Sequence, residues 1–84
     1  MIRILYFASL REALGVASEE VNLPAEVGTV ETLVSWLHLR GENWAGQLSP
    51  SKRWRVSVNY EMAGPVSAVK AGDEVAFFPP VTGG

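Results

Sequence analysis

Hydrophobic and polar positions along the chain fall into short blocks with different periods. Residues 2–7 (IRILYF) form a nearly unbroken apolar run, of a length that suits a strand covered on both faces. Ser9-Leu10-Arg11-Glu12 has the spacing of a capping box, in which Ser9 accepts from the Glu12 amide and the Glu12 carboxylate reaches back to Ser9. Leu10 and Leu14 then share one helical face, and Gly15 is a natural stop. Glu20-Val21-Asn22-Leu23 alternates as a half-buried strand does, and Pro24 ends it. Val30, Leu33, Val34 and Leu37 fall at i, i+3, i+4 and i+7, the strongest helix signal in the chain. Thr29 is its expected N-cap, Glu31 lies in its first turn, Arg40 in its last turn, and Gly41 follows.

Residues 42–53 have no sustained period and predict a surface loop with room for one helical turn. Trp54, Val56, Val58 and Tyr60 alternate with Arg55, Ser57 and Asn59, which predicts a strand. Gly64-Pro65 marks a turn, 66–69 a short edge strand, and Ala71-Gly72-Asp73 a second turn. A final strand is expected over 74–78, with Val75 and Phe77 on one face and Ala76 and Phe78 on the other. The order is strand, short helix, strand, main helix, then two or three strands, an α+β layout with a mixed sheet of four to five strands. It fits the β-grasp, or ubiquitin-like, roll, whose first and last strands lie parallel at the sheet centre, as the two most apolar runs here require. With no repeat or linker, residues 1–80 read as a single domain and 81–84 as an extended tail.

Composition narrows the chemistry. An apolar content of 48% supplies a core despite a length of only 84 residues. The absence of cysteine removes disulfides, zinc ribbons, iron–sulfur ligation and thiol nucleophiles together. His38 is the only histidine, so a histidine-pair metal site or a Ser/His/Asp triad would rest on this one residue, and no metal site is expected. It reads as a solvated or capping group at a helix C-terminus. A net charge of −2 argues against nucleic acid as a partner. Lys52, Arg53 and Arg55, with Arg40 near and Trp44 and Trp54 flanking, read as a solvated loop or a partner-docking surface. Glu19-Glu20 and Asp73-Glu74 are neighbours that strands would aim to opposite faces, so they do not form a glycosidase dyad. No run is long enough for a membrane span and residues 1–7 lack the marks of a secretory signal, so a cytoplasmic domain is expected.

The last eight residues, Phe77-Phe78-Pro79-Pro80-Val81-Thr82-Gly83-Gly84, hold the most specific signal. Pro79-Pro80 ends the strand and stiffens the backbone. Beyond it, four extended residues reach roughly 13–14 Å, enough to insert into a neighbouring protein. Two glycines pass a narrow channel and leave a terminal carboxyl carbon open to attack.

The stretch Gly72-Asp73-Glu74-Val75-Ala76-Phe77-Phe78-Pro79-Pro80-Val81-Thr82-Gly83-Gly84 closely resembles the end of the molybdopterin synthase small-subunit (MoaD) family of sulfur carriers. Residues 2–8, Leu10-Arg11-Glu12, Thr29-Val30 and Val58-Asn59 resemble that family less specifically, and 42–54 match nothing in it. The resemblance implies a β-grasp carrier without catalytic side chains of its own. In it an E1-like adenylyltransferase uses ATP to activate Gly84 as an acyl-adenylate, and a sulfur donor converts this to a thiocarboxylate. The loaded tail enters the large catalytic subunit of a heterotetrameric molybdopterin synthase and gives sulfur to the dithiolene of molybdopterin, during molybdenum cofactor biosynthesis. Val81, Thr82 and Gly83 would line the insertion path. Phe77 or Phe78, with Pro79 and Pro80, would dock the partner, and alternation leaves the choice of phenylalanine open. No bound cofactor is implied. A thiamine-type sulfur carrier, a ubiquitin-like modifier conjugated through Gly84, and a plain interaction domain are the rival readings.

Overall fold

The computed structural model describes residues 1–48 and 54–79. Within them the chain forms, in order, β1 (Ile2–Tyr6), α1 (Ala8–Leu14), β2 (Ser18–Val21), α2 (Val30–His38), α3 (Glu42–Gln47), β3 (Arg55–Val58), β4 (Glu61–Ala63) and β5 (Glu74–Phe78). The five strands make one mixed sheet in the order β2-β1-β5-β3-β4. The most apolar strands, β1 and β5, run parallel at its middle, with Arg3 beside Glu74 and Tyr6 beside Phe77. Antiparallel neighbours flank them, as the β-grasp order predicts.

Helices cover one face of the sheet. Ile2, Ile4, Tyr6, Val56, Val75 and Phe77 join Val30, Leu33, Val34 and Leu37 of α2 in one buried cluster, with Leu10 and Leu48. The other face carries Arg3, Leu5, Phe78, Arg55 and Met62. β1 is therefore not covered on both sides: Arg3 is exposed and Leu5 half-buried. With one parallel pair and a single helical layer, no helix among the described residues covers that second face.

Several local expectations are corrected. The Ser9 capping box does not form, because α1 starts two residues earlier, with Phe7 at the N-cap: the Phe7 carbonyl accepts from the amides of Leu10 (3.1 Å) and Arg11 (3.5 Å). β2 is shifted two residues toward the N-terminus, because the pair Ile2–Val21 is the last that β1 can offer. α2 ends at His38, so Arg40 lies beyond its last turn. Thr29 caps α2 as expected, in a reciprocal box with Thr32: the Thr32 amide donates to Thr29 Oγ1 (3.3 Å) and the Thr29 amide to Thr32 Oγ1 (2.9 Å). Residues 42–47, expected within a loop with room for one helical turn, form the six-residue α3, held by tertiary contacts. Trp44 packs on Tyr6, Asn43 donates to the Ala13 carbonyl, and Leu48 is fully buried.

The strand expected to run through Tyr60 stops at Val58. Asn59 (φ 51°) and Tyr60 (φ 70°) are both left-handed, the geometry of a two-residue hairpin turn whose twist matches its strands. Tyr60 is consequently 87% exposed. The edge strand is Glu61–Ala63 rather than 66–69, which contributes one isolated bridge, Ala68 to Thr29. Among the described residues, no helix is long and apolar enough to cross a membrane.

Candidate functional site: the root of the tail

Parallel pairing makes β1 and β5 end at the same edge of the sheet. The Phe7 amide donates to the Phe77 carbonyl (3.2 Å), extending their ladder one residue past β1. Alternation on β5 then separates the two phenylalanines. Phe77 is 0% exposed, stacked on Tyr6 (6.0 Å, 13°) and met edge-on by Trp54 (5.6 Å). It is a core residue, which corrects its inclusion among docking candidates. Phe78 lies on the uncovered face, half-buried, and stacks on Phe7 at 4.9 Å with the rings nearly parallel. Phe7 is itself 40% exposed. Half-buried Pro79 is the last described residue, and Pro80, Val81, Thr82, Gly83 and Gly84 lie outside the described residues.

The charged groups around Tyr6 are already committed. Tyr6 donates its hydroxyl to Glu19 Oε2 (2.8 Å), and Arg40 Nη1 donates to both Glu19 oxygens (2.8 Å each). The Arg40 guanidinium lies over the rings of Trp44 (4.9 Å) and Trp36 (5.4 Å), a cation–π sandwich at the α2–α3 corner. Burial pushes the Tyr6 phenol far above its ordinary range, and its bond to Glu19 adds to this. Tyr6 thus remains a neutral donor. Glu20 turns the other way, toward Arg3 at 3.6 Å, so the adjacent carboxylates diverge as expected.

At the opposite end of the sheet, Asp73 accepts from Asn59 Nδ2 (2.9 Å) and the Lys70 amide (2.9 Å). The Glu74 amide donates to Asn59 Oδ1 (3.0 Å), which ties the β3–β4 turn to the start of β5. The Asn59 hydrogen bond is the main cause that holds the Asp73 carboxyl below its usual range; burial opposes it, and Lys70 lowers it further. His38 Nε2–H donates to the Leu48 carbonyl (2.9 Å), since a carbonyl only accepts, so this histidine joins the end of α2 to the end of α3. Lys52 and Arg53 of the expected basic cluster lie outside the described residues, Arg40 is committed to Glu19, and Arg55 is exposed beside Phe78.

Sequence reasoning missed Phe7 as a member of this site. The available signal was the parallel pairing of first and last strands, which forces their final residues together.

The fold and this root define a ubiquitin-like β-grasp protein whose central strand runs out into a Pro-Pro-Val-Thr-Gly-Gly segment. The ThiS family pattern matches residues 4–84, and the chain belongs to that family. It is 42% identical over 84 residues to the molybdopterin synthase sulfur carrier subunit of Haemophilus influenzae, covering all of both chains. To the protein of the same name from Escherichia coli it is 40% identical, again over all of both chains. Among solved structures, the SAMP1 protein of Haloferax volcanii superposes with a TM-score of 0.69 at 32% identity, covering 99% of this chain and 98% of that one.

Proposed function

We propose that this chain is the sulfur-carrier subunit of a molybdopterin synthase, working in the cytoplasm, with Gly84 as its reactive end. The observation that carries the reading is the full-length identity of 42% and 40% to proteins of that name. The placement of the tail root supports it: a strand at the sheet centre cannot shift without breaking two ladders, so the chain beyond Pro79 starts from a fixed point.

The chemistry is that of a carboxyl group made electrophilic. On an E1-like adenylyltransferase the Gly84 carboxylate attacks the α-phosphorus of ATP and pyrophosphate leaves, giving an acyl-adenylate. A sulfur nucleophile at the oxidation level of sulfide adds to the carbonyl and expels AMP, leaving a thiocarboxylate. Gly83 and Gly84 present no Cβ to obstruct either attack. In the large subunit the sulfur adds to cyclic pyranopterin monophosphate, and water cleaves the acyl–sulfur bond to restore the carboxylate. The dithiolene needs two sulfurs, so two loaded carriers serve each product. Val81, Thr82 and Gly83 offer backbone amides along the insertion path, while Phe7, Phe78 and Pro79 give an apolar contact outside it. The described polar clusters are occupied in holding the fold, so the catalytic side chains of transfer come from the large subunit.

The test is deletion of Gly84 in a reconstituted system of carrier, adenylyltransferase, sulfur donor and large subunit. Molybdopterin formation is lost while the melting temperature stays unchanged, because the described buried core is built from residues 2–77. Product formed by the truncated chain at the wild-type rate overturns the assignment. The likeness to SAMP1, named a small archaeal modifier protein, favours a second reading, conjugation to lysines through Gly84. Carrier–lysine isopeptides recovered after incubation with ATP and activator would select it.

A further inference from the structure

Among the described residues, one basic side chain stands beside the tail root. Arg55 opens β3 directly across from Phe78, and the two are paired residues of neighbouring antiparallel strands. Side chains of such pairs share a face with Cβ atoms about 4.5–5.5 Å apart. Arg55 therefore stands on the uncovered face of the sheet, beside the Phe7–Phe78 stack, and it is exposed. The other described arginines of the sheet region are matched: Arg3 faces Glu20 at 3.6 Å and Arg40 grips Glu19 at 2.8 Å. Among the described residues the Arg55 side chain has no ion pair and no hydrogen bond.

Whatever protein takes the tail must approach its root, and covering Phe78 brings that protein's surface to the guanidinium one strand away. Guanidinium stripped of water without a counter-charge is strongly unfavourable, and the same group matched by a carboxylate is not. An arginine fork also suits a carboxylate in a way a point charge does not. We propose that Arg55 is a specificity-determining residue, whose guanidinium pairs with an Asp or Glu on the protein that receives the tail. This rests on the sulfur-carrier reading for the identity of that protein, the molybdopterin synthase large subunit. The pair selects by penalty as much as by attraction: a surface with an apolar or basic group at that point leaves Arg55 uncompensated and is rejected. A cation at the tail end of an otherwise acidic chain also orients the encounter with an acidic rim.

The experiment titrates the full-length chain against the large subunit from the same genome, from about 0.05 to about 0.5 M salt, where screening of surface charge becomes strong. Wild-type affinity weakens as salt rises. Arg55→Leu, which retains the fold because the site is exposed, binds roughly fivefold more weakly at low salt and loses much of the salt dependence. Arg55→Lys keeps the salt dependence. Arg3→Leu, an equal loss of charge at the far end of the same face, behaves as wild type. Wild-type affinity and salt dependence in Arg55→Leu overturn the ion pair while leaving the carrier reading intact. Failure of the wild-type chain to bind the large subunit overturns both.

Discussion

Phe77 and Phe78 are adjacent in sequence, yet the fold assigns them different work, and truncating each in turn separates stability from function. Phe77 is fully buried between Tyr6 and Trp54. Phe77→Ala removes that ring and leaves a cavity at the sheet centre, at a cost of about 3–5 kcal/mol. A domain of this size is stable by about 4–13 kcal/mol, so the loss is a third or more of the total unless the native stability is at the upper end. At about 4–8 °C per kcal/mol, Tm falls by at least roughly 12 °C. Phe78 is half-buried, and its principal aromatic contact is Phe7, 40% exposed. The stack contributes about 0.5–1.5 kcal/mol, and the remaining half-burial adds a similar amount. Phe78→Ala therefore costs about 1–3 kcal/mol and lowers Tm about half as much as Phe77→Ala. The assay is thermal unfolding by circular dichroism, paired with sulfur transfer to the large subunit at a temperature where both variants are folded. Phe78→Ala should transfer poorly although folded, and Phe77→Ala should recover most transfer once cold enough to fold. Equal destabilisation by the two changes, or wild-type transfer and affinity in Phe78→Ala, refutes the division.

The polar contacts supply two further outcomes. Asp73 has a lowered folded-state pKa, so its contribution to stability is fully present above the usual carboxylate range and is lost as pH falls through the folded value. In Asp73→Asn the acid side of the Tm–pH curve becomes shallower, and an unchanged acid limb counts against the Asn59–Asp73 bond as a source of stability. Tyr6→Phe deletes a buried hydroxyl that donates to an ionised carboxylate, and urea unfolding should register a loss of about 1.5–3 kcal/mol with an unchanged m-value.

Much of the architecture was legible because burial and period coincide in its central elements. Residues 30–37 carry a full helical stripe, and 74–78 alternate inward and outward with both boundaries marked by turn or proline. The β-grasp layout followed from the order of elements and from the two apolar runs. The illegible parts depended on partners distant in sequence. The extent of β2 is set by where β1 begins, and α3 is held by Tyr6, Ala13 and the core around Leu48. The Asn59-Tyr60 turn is a different case, since Asn at the first turn position was a local signal hidden by the continuing alternation to Tyr60. In the site, the choice between Phe77 and Phe78 needed the direction in which β5 faces its helices. Phe7 and Arg55 needed the pairing of strands on either side of β5.

Whether Gly84 carries the sulfur is decided by intact-mass spectrometry of the full-length chain. After incubation with ATP, sulfur donor and cognate adenylyltransferase, the chain gains the mass difference of one oxygen replaced by sulfur. Fragmentation should place that change on Gly84, and it should disappear on addition of large subunit and pterin substrate. A mass that stays constant with the active cognate adenylyltransferase, or a sulfur found anywhere but the Gly84 carboxyl, contradicts that role for Gly84.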